Sequence, residues 1–141
     1  MKTKIFTVAI VLFMCLGGFA QTKSDILAHA TADSSRFAIN KKAGWQQYAS
    51  YLTPVGTDSV MLETVVQHNK TGLVMSQEQL IGQIKQNKFR PKTVHNLSFS
   101  LLSNSYSLRI EPNGKCYLKL LAGTLPDSDP VVIPVRVLYK P

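Results

Sequence analysis

The second half of the chain alternates apolar and polar residues with a period of two, which predicts β-strands. "HNLSFSLLS" (95–103) places Leu97, Phe99 and Leu101 on one side. "SYSLRIE" (105–111) does so with Tyr106, Leu108 and Ile110, and "KCYLKLLAG" (115–123) with Cys116, Leu118, Leu120 and Ala122. "VVIPVRVLYK" (131–140) groups Val131, Ile133, Val135, Val137 and Tyr139. Pro134 lies on the opposite face and lacks a ladder donor, which predicts an edge or bulged strand.

The strands can be set in register by arithmetic. With Pro112-Asn113-Gly114 as a three-residue loop, Gly114 supplies the left-handed residue that such a turn needs. Glu111 then pairs with Lys115, Ile110 with Cys116, Arg109 with Tyr117, Leu108 with Leu118 and Tyr106 with Leu120. One face becomes wholly apolar. The other gains an opposite-charge pair and an Arg–aromatic pair, and a slip of one residue would destroy both patterns. The same arithmetic predicts a second hairpin: Leu120 with Ile133, Leu118 with Val135 and Cys116 with Val137. Its loop, "GTLPDSDP" (123–130), is long and polar. The expectation is therefore a meander of about four antiparallel strands.

The first half is less regular. "WQQYASYLTP" (45–54) carries Trp45, Tyr48 and Leu52 at helical spacing, while its aromatic content favours a strand. "DSVMLETVVQHN" (58–69) is rich in β-branched residues and predicts a strand, with Val60, Leu62, Thr64 and Val66 on one face. "SQEQLIGQIKQN" (76–87) predicts a helix over 77–87. Ser76 and Gln79 have capping-box spacing, and Leu80, Ile81 and Ile84 form a narrow apolar stripe. Gly82 weakens that helix by about 1 kcal/mol relative to alanine.

A meander with one apolar face needs a second layer. The expected fold is mainly β: a small antiparallel β-sandwich or partly open barrel with one short helix. An α+β arrangement, with the helix packed on an antiparallel sheet, is the alternative.

The chain has 141 residues, enough for one domain. Residues 1–20 read as a secretory signal peptide: Lys2 and Lys4, an apolar run from Ile5 to Leu16, then Gly17, Gly18 and Ala20. The run is short for a membrane span, so no integral span is expected after cleavage following Ala20. Lipid attachment at Cys15 is disfavoured, because Phe13 and Met14 stand where small residues belong. Residues 21–44 read as an N-terminal arm or short helix, and 45–141 as a single β-rich domain. The destination is export, to the periplasm, the cell surface or the medium.

Without the leader, 14 Lys and Arg stand against 8 Asp and Glu, a net charge of +6. Such a balance favours acidic partners: an acidic protein, polysaccharide, nucleic acid or anionic lipid. Cys116 is then the only cysteine and cannot form an internal bridge. An exported domain without a disulfide points to a bacterial source. This reading leaves the sequons Asn69-Lys70-Thr71 and Asn96-Leu97-Ser98 without weight.

Candidate chemistry is thin. Thiol catalysis would join Cys116 to His29, His68 or His95, but Cys116 sits in an apolar strand, whereas reactive thiols need an accessible, electropositive setting. The histidines show no metal-ligand spacing, and no cofactor motif is present. Asp127 and Asp129, between Pro126 and Pro130, read as a turn cluster. The densest chemical feature is "KQNKFRPKTVH" (85–95), where Lys85, Lys88, Arg90 and Lys92 surround Phe89. Cations around an aromatic would grip a polyanion or stack on a base. The plainer reading is a solvated helix end whose cations favour the C-terminal dipole, with Phe89 turned into the core. Three functional classes follow: an exported non-enzymatic binding or structural domain, a polyanion binder using residues 85–92, and a small secreted enzyme.

Overall fold

A computed structural model describes residues 36–141, so the leader, Cys15, His29 and most of the expected arm lie outside the described residues. Eight strands form two antiparallel sheets. They are β1 (Phe37–Ile39), β2 (Gln46–Val55), β3 (Ser59–His68), β4 (Gln79–Ile84), β5 (His95–Leu101), β6 (Asn104–Ile110), β7 (Lys115–Ala122) and β8 (Val131–Tyr139). One sheet runs β1-β4-β7-β6-β5 and the other β2-β3-β8. The sheets pack face to face as a small β-sandwich and do not close into a barrel. The strands begin at Phe37, inside the segment expected as an arm.

The β6–β7 hairpin has the register the sequence predicts: Tyr106↔Leu120, Leu108↔Leu118, Arg109↔Tyr117 and Ile110↔Cys116. Gly114 has φ +86°, and its N–H donates to Glu111 O at 2.8 Å. Arg109 stacks over Tyr117, 4.2 Å from the ring centroid. One detail differs. The Glu111 carboxylate turns to Arg109 rather than to Lys115. Arg109 also binds Glu78 at 2.8 Å and so sits between two carboxylates.

Two expectations are overturned. The segment expected as a helix over 77–87 is strand β4, laid between β1 and β7 with a register shift between Leu80 and Gly82. That irregularity breaks the alternation and leaves an apolar stripe resembling a helix repeat. Gly82 lets this strand take its place beside β1. A Cβ there would lie 2.5 Å from Phe37 Cζ and 2.7 Å from Ala38 O, so only glycine lets β1 approach this closely.

The second correction concerns β8. It does not pair with β7, because the free edge of β7 is already taken by β4. The 123–130 loop instead carries the chain to the other sheet. There β8 pairs with β3 from Val60↔Tyr139 to His68↔Val131. The meander is therefore three strands, β5-β6-β7, and Cys116 lies between Ile110 and Gly82 rather than beside Val137. The reading of Pro134 holds: β8 is an edge strand. The Trp45 segment is strand β2, with Pro54 inside it, also at an edge.

The core fills the gap between the sheets. Phe37, Ile81, Ile84, Tyr106, Leu108, Ile110, Cys116 and Leu118 come from one sheet. Leu52, Leu62, Val66, Ile133, Val135 and Val137 come from the other. As a middle strand, β3 is buried from Val60 to Val66 on both faces. Its Glu63 is held by Arg136 at 2.9 Å.

Candidate anion-binding end of the sandwich

Antiparallel strands bring the connections to two ends. One end holds the β2–β3 turn, the long 85–94 connection, the 112–114 turn and the C-terminus. The 85–94 connection is anchored at several points. Phe89 is 4% exposed and packs in the core. The Tyr139 hydroxyl donates to Phe89 O at 2.6 Å. Arg90 donates from Nε to Ile84 O at 2.9 Å and from Nη2 to Lys85 O at 3.0 Å. Those bonds satisfy carbonyls where β4 ends, a demand that a buried or half-buried backbone always makes.

These contacts divide the sequence-predicted patch. Phe89 faces inward and presents no ring for a base to stack on; it serves as the anchor. Arg90 serves as a backbone clamp. Lys85, Lys88 and Lys92 are the exposed members, with the Lys88 ammonium 4.9 Å from the Phe89 centroid. The fold also adds a residue that sequence spacing conceals. Arg36 lies about 50 positions upstream, yet its carbonyl accepts from Lys85 N–H at 2.7 Å and its guanidinium lies 5.5 Å from the same ring. Only the β1–β4 pairing brings it there.

The electrostatics of this end follow from where the acids are. Every described Asp and Glu side chain has a partner. Asp58 binds Lys140 at 3.1 Å, Glu63 binds Arg136, and Glu78 and Glu111 bind Arg109. Asp127 lies 3.7 Å from Lys70, whose backbone N–H donates to Asp129 at 3.0 Å. The Lys140 contact holds Asp58 below the usual carboxylate range. No described carboxylate forms an ion pair with Lys85, Lys88 or Lys92, so the positive field there is not locally cancelled.

The remaining reactive groups do not assemble into one site: Cys116 and His95 border this end, and His68 lies at the other end of β3. Cys116 is fully buried, and its thiol donates to Gly114 O at 3.4 Å. Burial pushes its pKa up, the reverse of what a nucleophile needs. His68 packs edge-on against Trp45, with each ring nitrogen within 2.7 Å of a carbonyl, Asn69 O and Ala43 O. His95 lies 6.2 Å from the Tyr139 ring. Among the described residues no three His, Cys, Asp or Glu side chains gather as a metal set, and no helix is long and apolar enough to cross a membrane.

Taken together, fold and surface define a small, basic antiparallel β-sandwich. Comparison with protein-family models, curated proteins and solved structures finds no match.

Proposed function

We propose that this protein is an exported bacterial β-sandwich that works by binding rather than by catalysis, and that the end bearing Lys85, Lys88 and Lys92 contacts a polyanion. An acidic polysaccharide, a nucleic acid strand or an acidic protein would meet the same charges. The supporting observation is that every described Asp and Glu side chain is paired with another group, which leaves these three exposed lysines without an ion-pair partner on a connection pinned by Phe89 and Arg90. Export is supported by the leader pattern in residues 1–20. Binding through exposed lysines is mainly electrostatic and depends on counterion release. The contact reads charge density rather than sequence, because Phe89 is committed to the core.

The test is binding to heparin and to single-stranded DNA across a salt series. Three phosphate contacts on a single strand give a log–log slope of about −2, a loss of about 20-fold between 50 and 200 mM salt. Replacing Lys85, Lys88 and Lys92 together by Gln should abolish binding and leave the melting curve nearly unchanged. Arg90 is left intact because its loss would damage the fold. Binding that persists in the triple variant with the same slope would refute the proposal.

A further inference from the structure

Four strands border the two sheets, and three of them carry a feature that discourages pairing with another strand. β1 is only three residues long. β2 contains Pro54 and a register shift between Gln47 and Ala49. β8 contains Pro134. β5 has no such device. It pairs with β6 at seven consecutive positions, from His95↔Ile110 to Leu101↔Asn104, with no register shift. It contains no proline and no Lys, Arg, Asp or Glu. Among the described residues its other edge has no strand partner. Regular, uncharged edges of this kind present a row of free N–H and C=O groups, a template for another strand.

The sequence of β5 also says which strand fits. Residues 97–101 read Leu-Ser-Phe-Ser-Leu in either direction. Placed antiparallel to a second copy, about a two-fold axis at Phe99, Leu97 meets the partner's Leu101 and Ser98 meets the partner's Ser100. Phe99 meets the partner's Phe99. The inner row, Leu97, Phe99 and Leu101, is only partly buried at the flank of the core, so pairing would cover it further. The outer row is serine against serine. Charge points the same way: two copies of the exported chain, each at net charge +6, repel, and β5 is a strand where no cation meets a cation.

We propose that β5 is a self-association edge, where two copies join antiparallel in one continuous ten-stranded sheet. The interface is isologous, the self-complementary form that two-fold dimers use. The inference is independent of the anion-binding end, because β5 contributes none of its lysines.

Sedimentation velocity of the purified exported protein, over about 1 to 500 μM, covers the range expected of a modest interface. The mass should double with concentration. Ser98 and Ser100 are both exposed, so charges there spare the core. Ser98→Lys with Ser100→Lys sets ammonium against ammonium twice across the axis and should keep the protein at single mass. Ser98→Lys with Ser100→Glu sets opposite charges together twice and should restore the dimer. A wild-type protein that stays at single mass throughout would overturn the proposal. So would a dimer indifferent to the double-lysine change, or failure of the Lys/Glu variant to pair. If thermal melts show that the variants are unfolded, amide exchange of the wild type decides. Protection at residues 96–100 that rises with concentration supports the edge, and flat protection refutes it.

Discussion

Gly82→Ala separates the strand structure from the helix that the local sequence suggests, because the two predict opposite signs. In a solvent-facing helix interior, the change would stabilise by about 1 kcal/mol. In β4 the new methyl carbon would stand 2.5 Å from Phe37 Cζ and 2.7 Å from Ala38 O. Neither neighbour yields easily: Phe37 is fully buried, and Ala38 O is backbone. Two routes relieve the clash. The core can accept overpacking, at about 1–3 kcal/mol. Alternatively, β1 can peel away, giving up the burial of Phe37, about 2–3 kcal/mol, with the Asn40 N–H bond to Ile81 O and the Asn40 amide bond to Leu80 O. The less costly route sets the net loss, about 1–3 kcal/mol. At about 4 °C per kcal/mol for a domain near 100 residues, melting should fall by about 4–12 °C. Thermal unfolding followed by circular dichroism measures this, and a double-mutant cycle with Phe37→Leu assigns it. The shorter side chain should absorb the clash, with a coupling of about 1 kcal/mol. A neutral or stabilising Gly82→Ala, or strict additivity with Phe37→Leu, would refute the close approach of β1 to β4.

Two other predictions concern groups whose surroundings set their chemistry. Cys116 should react with a thiol reagent near neutral pH only as fast as the protein opens, and Cys116→Ala should cost about 1 kcal/mol with polyanion binding intact; rapid labelling of the native protein would contradict its burial. Glu78 is held below its ordinary pKa, chiefly by its hydrogen bond from Arg109. Its contribution to stability is therefore complete above the unfolded carboxylate value and is lost as pH falls through the lower folded value. Denaturant unfolding from pH 7 to 3 should show a stability decline that Glu78→Gln makes shallower, with wild type and variant converging at the acid end; equal slopes would sink the assignment.

The β6–β7 hairpin was legible because its constraints are local. A turn with Gly114 at its left-handed position fixes the register, and alternation then sorts every side chain to its face. The cations of residues 85–92 were legible as a list, but their roles were not. The inward turn of Phe89 was legible as the plainer reading, but Arg90 looks equivalent to Lys88 in sequence. What separates those two is the pair of free carbonyls at the end of β4, partners that only the fold brings to Arg90.

By itself the sequence determined the strands after residue 95, one hairpin register, the need for a second layer and the basic balance. Each follows from the period of side chains along an extended chain or from a count of charges. Only the tertiary structure decided that 79–84 is a strand, that β8 crosses to β3, and that Arg36 reaches the 85–94 connection. Those outcomes depend on which sheet edge is still free and how closely two backbones can approach. Gly82 settles one such contact and β4 occupies one such edge, and neither fact can be read from spacing within a segment.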